Sequence, residues 1–173
     1  MKINVKLKDN KNILIRNAES ADAPILAKWW NDGAVMAHAG FPNGLGITEK
    51  EIADDLATDT DESRRHVIEF CENSEHAKPI GEMNYRNKGC KIAQIGIKIC
   101  ETDYRERGMG TAILTAFTDA LFNEMGYGMI ILDTNVANTR AQHVYEKLGF
   151  KEIGRRDDFI DYELTAADWT NRK

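Results

Sequence analysis

Proline is scarce in this chain, three in 173 residues, so no proline-rich linker divides it. Cysteine is equally rare. Cys71, Cys90 and Cys100 are an odd number with no C-x-x-C pair, which excludes a disulfide framework and a thiolate metal cluster. They read as free thiols in a reducing compartment, and packing is their expected role because a free cysteine behaves as a small hydrophobe. No stretch approaches ~18 apolar residues, so nothing reads as a membrane-spanning helix. Met1 to Leu7 alternates charged and apolar residues and lacks the apolar core of a signal peptide; a cytoplasmic protein with no membrane partner is expected.

Positive charge is also in deficit. Twenty-three Lys and Arg stand against 28 Asp and Glu, a net charge of −5, which argues against a non-specific nucleic-acid binder and favours a neutral or cationic partner. The histidines, His38, His66, His76 and His143, show no ligand spacing, so no metal site is expected. There is no Gly-Lys-Ser/Thr phosphate loop, and Ile113 stands where the third glycine of G-x-G-x-x-G would fall. Repeats, low-complexity tracts and linkers are absent, and the length fits one domain around one core, residues 1–173.

What is present reads as a series of short elements. Val5, Leu7, Ile13 and Ile15 flank a polar turn at Asp9-Asn10-Lys11-Asn12, a hairpin pattern. Ile25, Leu26, Trp29 and Trp30 share a helical stripe begun by Ser20 to Pro24 and stopped by Asn31-Asp32-Gly33. Ala37 to Ile47 carries Gly40, Pro42, Gly44 and Gly46 and reads as a mobile loop. Thr48 with Glu51 forms a capping-box signature for a helix to about Ala57. The acidic stretch from Glu49 to Glu62 reads either as a solvated face or as a lip attracting a polycation. His66 to Cys71, Ile80 to Tyr85 and Lys91 to Cys100 form a meander. In the third strand Ile95, Ile97 and Ile99 share a face with Ile92 out of phase, which hints at a bulge, and Gly96 marks a close approach of backbone or ligand.

Tyr104 to Thr111 lies between that strand and a long helix, Ile113 to Met125, ended by Gly126. Gly108 and Gly110 either simply turn the chain or let the backbone present N–H groups at a helix N-terminus, an anion cradle. Met129 to Leu132 reads as a buried strand. Asn138 caps a helix in which Ala141, Val144, Tyr145 and Leu148 make one face, and Phe150 to Gly154 and Phe159 to Leu164 close the sheet. The class expected is α/β, with a mixed, twisted sheet of six to seven strands and about four helices.

Two separated motifs resemble the GNAT superfamily of acyl-CoA-dependent N-acetyltransferases. Arg105-Glu106-Arg107-Gly108-Met109-Gly110 matches its Gln/Arg-x-x-Gly-x-Gly/Ala pattern, and Asn138 to Phe150 matches Asn-x-x-(Ala/Ser)-x-x-x-Tyr-x-x-x-Gly-Phe. The first half, with its tryptophan helix, resembles the branch that acetylates ribosomal proteins and small amines. The resemblance implies acetyl-CoA as co-substrate. It implies that Arg105, Arg107, Gly108, Met109, Gly110 and Thr111 hold the pyrophosphate, and that Ile97, Lys98 and Ile99 pair with the pantetheine arm from a strand splayed at the bulge. Asn138 would contact the cofactor and Tyr145 would act as general acid; the plain alternatives are a helix cap and a core aromatic.

The reaction implied is direct attack of an amine on the thioester. At pH 7 an alkylamine of pKa ~10.4 is one part in a few thousand free base, a handicap of roughly 4 to 5 kcal/mol that a base must offset. Many family members carry a Glu where this chain has Gln94, which cannot accept a proton. Glu82 and Glu69 are the alternative candidates, each also readable as an ordinary strand residue. The acceptor expected is a small cationic amine of the polyamine or aminoglycoside type, with a protein N-terminus as the alternative; an acyl-CoA-binding module without turnover is the competing reading. A monomer or homodimer is expected.

Overall fold

The computed structural model describes residues 1–7, 11–73, 76–105 and 108–172. The chain opens with a hairpin of β1 (Lys2–Lys6) and β2 (Asn12–Asn17), Lys6 facing Asn12; the expected turn at Asp9-Asn10 lies outside the described residues. Then come α1 (Ala23–Trp30), with Pro24 in its first turn, and the four-residue α2 (Gly33–Met36), capped by the Asp32 carboxylate. In α3 (Glu49–Leu56), Thr48 and Glu51 complete the capping box the sequence predicts. The loop between α2 and α3, expected to be mobile, is tied by hydrogen bonds to the end of α1. The Leu45 N–H donates to Trp30 O at 2.8 Å, and the Asn31 amide bonds Ile47 in both directions at 2.8 and 2.9 Å.

The meander follows as β3 (Ser63–Asn73), β4 (His76–Asn87) and β5 (Ile92–Ile99). Next are α4 (Met109–Asp119), β6 (Met129–Asn135), α5 (Thr139–Lys147), β7 (Lys151–Arg156), β8 (Phe159–Thr165) and α6 (Ala166–Thr170). All eight strands form one open mixed sheet in the order β1-β2-β3-β4-β5-β6-β8-β7, with only β5 and β6 parallel. The class is as expected, but eight strands replace six to seven and six helices replace about four. The helix shortfall has a physical cause: α2 and α6 are too short to show a 3.6-residue period.

Helices cover both faces. Ile13, Ile68, Met83, Tyr85 and Ile95 meet Ile113 and Phe117 of α4, Tyr145 of α5 and Trp169 of α6 on one side. Val67 and Cys100 meet Leu26, Trp29, Trp30, Ile52 and Leu56 of α1 and α3 on the other. Val67 and Ile68, successive residues of β3, therefore serve opposite cores. Of the cysteines, Cys100 packs in the second core, Cys71 is half-buried, and Cys90 is exposed in the turn before β5, so a packing role does not extend to it. α4 ends in a π-turn, Ala120–Glu124, stopped by Gly126 at φ +75°.

No bulge falls at Gly96. The β4–β5 ladder runs unbroken from Gly81↔Ile99 to Asn87↔Ala93, and Ile92 simply faces the other side from Ala93, Ile95, Ile97 and Ile99. The irregularity lies one strand away, where Ile68↔Gly81 is followed by Glu69↔Pro79 and Ile80 is skipped; proline, with no N–H to give a ladder, is accommodated at such a bulge. The close approach expected at Gly96 comes from a side chain, because a Cβ there would lie 3.2 Å from the Asn84 amide nitrogen.

His66 is fully buried between Tyr85 and Phe117, and neither ring nitrogen has a hydrogen-bond partner. Burial pushes its pKa down to about 4, with nearby positive charges adding to the effect. Above pH 6.5 the ring is neutral both folded and unfolded, and no penalty arises. As pH falls from 6.5 towards 4 the unfolded chain takes up a proton that the folded state refuses, so stability declines by up to about 3 kcal/mol. Urea unfolding at pH 7 and pH 4 should show the wild type losing that much more than His66→Phe; equal losses would exclude the buried ring as the cause.

Candidate active site

β5 and β6 pair at only three positions, Ile92↔Met129, Ala93↔Ile130 and Gln94↔Ile131, and then part. The gap lies at the C-terminal ends of the parallel pair, where open α/β sheets bind ligands. It forms a groove of about 870 Å³ between β5, the N-terminus of α4 and α5.

The free edge of β5 supplies the middle of the groove. The Lys98 carbonyl points towards β4, so close that a Cβ at Gly81 would meet it at 2.2 Å. Backbone groups alternate sides along an antiparallel strand, and Ile97 and Ile99 therefore turn theirs towards the gap. One of these is already engaged: Arg105 Nε donates to Ile99 O at 3.0 Å and its Nη2 to Cys100 O at 3.1 Å. The expectation for this strand is thus narrowed to the N–H and C=O of Ile97 and the N–H of Ile99. Lys98 gives its backbone to β4, and its ammonium donates to Glu82 at 2.8 Å. Arg105 lines the groove, but two of its donor positions fasten the end of β5, which limits what it can offer an anion.

At one end of the groove is the glycine turn. Gly108 precedes α4 at φ +71°, a left-handed conformation, and no side chain caps the helix. Met109, Gly110 and Thr111 open the helix, where N–H groups lack intrahelical partners, and these residues line the groove with the positive end of the helix dipole behind them. Apart from the adjoining backbone, no heavy atom of the described residues lies within 4 Å of where a Cβ would stand on Gly108 or Gly110. Arg107, like Glu106, lies outside the described residues.

At the other end α5 contributes Asn138 and Tyr145. Asn138 Oδ1 accepts from Ala141 N at 3.3 Å, so the cap reading holds; the residue also lines the groove, and its NH2 bonds no described residue. The Tyr145 ring packs against Phe150 and Tyr162 with centroids at 5.8 Å in each case. Its hydroxyl makes no hydrogen bond to a described residue. Burial first, then the negative charge of Asp133, pushes the phenol up to about 12, so it stays neutral at any ordinary pH. Tyr145 is therefore both a core aromatic and a groove residue.

Neither carboxylate considered as a base lies in the groove. Glu82 is 2% exposed and accepts from Trp30 Nε1 at 2.9 Å and from Lys98; Glu69 is buried against Arg16 at 2.9 Å. The acidic stretch fares similarly as a lip. Asp54 pairs with Lys50, Asp55 and Asp59 with Arg65, and Asp61 with Arg64, and no residue of the stretch lines the groove. A carboxylate that was missed does line it: Asp133, exposed near the end of β6, with His38 and His143 on the same walls. Its position near the C-terminal end of the buried run Met129 to Leu132 was the available signal. No group of three metal-ligating side chains occurs among the described residues.

A helix N-terminus with no side-chain cap, a strand edge with unused backbone groups and a neutral phenol along one groove suit transfer of an acyl group from a phosphate-bearing carrier. Comparison with known proteins identifies the class. A family model for an acetyltransferase (GNAT) domain matches residues 12–151, and the chain belongs to this acetyltransferase family. An N-alpha-acetyltransferase of Sulfurisphaera tokodaii is 37% identical over 59 residues, 34% of this chain and 35% of that protein, so the match spans about a third of the relative's length. A spermidine N-acetyltransferase from Vibrio cholerae, solved with CoA and spermine, superposes with a TM-score of 0.78 at 21% identity, covering 92% of this chain and 98% of the other. An aminoglycoside acetyltransferase solved with coenzyme A gives 0.72 at 18% identity, covering 92% and 98%. At those identities the likeness is one of fold. Acetyl-CoA as co-substrate is consistent with the family and with the uncapped N-terminus of α4 and the free edge of β5.

Gly108→Ala should destabilise the protein by about 1 to 2 kcal/mol, the cost of holding a Cβ in the left-handed region, and should weaken CoA binding by disturbing the amides that follow. Thermal unfolding and calorimetric titration with CoA would measure both; unchanged affinity would remove the turn from the binding site.

Proposed function

We propose that the protein transfers an acetyl group from acetyl-CoA to a primary amine by direct attack, with the amine entering at the Asp133 and Tyr145 end of the groove. The observation that carries this reading is the unpartnered Tyr145 hydroxyl facing the same gap as the free backbone of Ile97. The thioester brings the activated acetyl group. The amides of Met109, Gly110 and Thr111 hold the pyrophosphate, the edge of β5 holds the pantetheine arm, and the Ile97 N–H is the donor for the thioester carbonyl. Asp133 is the exposed carboxylate beside the phenol and takes the acceptor's ammonium proton.

Tyr145 acts as a hydrogen-bond donor to the departing thiolate. Full transfer from a phenol held at about 12 to a thiolate whose thiol has pKa near 8.5 is uphill by about 5 kcal/mol, so the phenol stabilises the sulfur by hydrogen bonding while the proton lost from the attacking nitrogen ends on the leaving thiolate. This refines the general-acid role that the family resemblance implies.

A small cationic amine of the polyamine or aminoglycoside class is the preferred acceptor, because Asp133, exposed on the groove wall and held among the described residues only by Arg156 at 3.5 Å, suits an ammonium. The similarity to spermidine and aminoglycoside acetyltransferases supports the choice. The acidic stretch no longer contributes to it. A protein N-terminus is the second reading, favoured by the 37% match to an N-alpha-acetyltransferase.

Thiol release from acetyl-CoA across a panel of polyamines, aminoglycosides and short peptides would test the reading. Turnover with at least one amine is expected, with Tyr145→Phe lowering kcat about tenfold and Asp133→Asn flattening the acid limb of kcat/KM. Acetyl-CoA binding without CoA release above background for any acceptor would instead favour the binding module.

A further inference from the structure

β5 leaves β6 after Gln94, and its free half needs another hold on the side away from α4. Two tryptophans provide it. Trp29 and Trp30 end α1, and each indole N–H donates to a carboxylate beside the free half of β5. Trp30 Nε1 reaches Glu82 Oε1 at 2.9 Å, and the same oxygen accepts Lys98 Nζ at 2.8 Å. Trp29 Nε1 reaches Glu101 Oε1 at 2.9 Å, which also accepts Lys28 Nζ at 2.7 Å. Glu82 and Lys98 are direct cross-strand partners, and Lys98 stands between the two residues whose backbone faces the groove.

We propose that Glu82, held by Trp30 and Lys98, is a positioning residue: it clamps the splayed half of β5 to α1 and so fixes where the Ile97 N–H meets the thioester carbonyl. Burial speaks against a direct role, since the Glu82 side chain is 3% exposed and does not line the groove. A carboxylate whose accepting oxygen is shared by an indole and an ammonium is oriented on both sides and polarises neither acceptor nor donor directly. The clamp also explains why the strand keeps its place without β6. On one side β4 holds it, with the Cys100 and Glu101 N–H groups donating to Ile80 O at 2.8 and 3.0 Å; from the loop Arg105 holds its last carbonyls, and from α1 the two tryptophans hold its carboxylate neighbours.

The inference rests on the acetyltransferase reading for its kinetic arm, so the test includes an arm that needs no turnover. Amide hydrogen exchange of the full chain reads the hold on β5 at Lys98, Cys100 and Glu101, whose N–H groups face β4. Glu82→Gln and Trp30→Phe should each speed exchange there tenfold or more while β1 to β3 remain as in the wild type. With the acceptor found in the amine panel, kcat should fall about tenfold, KM for acetyl-CoA should stay within threefold, and the acid limb of kcat/KM should keep its pH.

Glu82→Leu combined with Lys98→Met removes the pair without leaving a buried charge, and guards against single variants that fail to fold. It should unfold near the wild-type temperature yet still show fast exchange at Cys100 and Glu101. Unchanged exchange in the folded variants overturns the clamp whether or not the wild type turns over any amine. An acid limb lost in Glu82→Gln also overturns it, because that result would make Glu82 the base. Wild-type protein that acetylates nothing refutes the acetyltransferase reading and leaves the exchange arm to decide the clamp.

Discussion

A three-pair parallel seam decides the architecture of this protein. β5 has a continuous ladder with β4 and β6 has one with β8, seven residue pairs each, while only three pairs join β5 to β6. Each strand is thus fully held on its outer side. Because sheets twist, two such halves joined at one end diverge at the other. The divergence leaves one strand edge with unused backbone groups in the middle of a buried sheet, a situation a protein tolerates only where something else meets those groups. The helix that must cross from β5 to β6 begins at the mouth of the gap, and its N-terminal amides face into it.

The carboxylates show how the fold sorts similar residues into different duties. Asp22 and Glu69 are engaged by Arg16, Glu82 by Lys98 and Trp30, and Glu101 by Lys28 and Trp29. Buried charges survive where they are paired and hydrogen-bonded, and these are. Asp133 is different, exposed on the groove wall, although Arg156 stands 3.5 Å away and is itself held by Asp161 at 2.7 Å. A carboxylate count along the sequence favours the segment Glu49 to Glu62 as the acidic feature; in three dimensions its aspartates pair with Lys50 and with Arg64 and Arg65 just beyond it, and Asp133 is the carboxylate among the groove's lining residues.

Much of the site was legible in advance because it is local. A glycine before a helix, an Asn-x-x-Ala cap and a tyrosine on a helical stripe are each written within a few consecutive residues. Gly108, Gly110, Asn138 and Tyr145 line one groove. The acid and base assignments were not legible. The direction of an Arg105 guanidinium, the burial of Glu82 and the exposure of Asp133 depend on packing between elements far apart in the chain, as with Trp30 and Glu82, 52 residues apart. Local periodicity also misplaced the bulge. The phase of β5 reported only which residues face which core, whereas the irregular pairing follows Pro79 on its neighbour.

By itself the sequence determined the class of fold, the glycine turn and its helix, and the helix that carries Asn138 and Tyr145, since propensity, capping and amphipathic period all act within a few residues of each other. The tertiary structure alone decided that β5 and β6 separate after Gln94, that Ile97 rather than Lys98 offers its backbone to the gap, and which carboxylate stands open there. Those outcomes follow from ladder alternation, sheet twist and the pairing of charges brought together from distant segments, none of which any short stretch of residues contains.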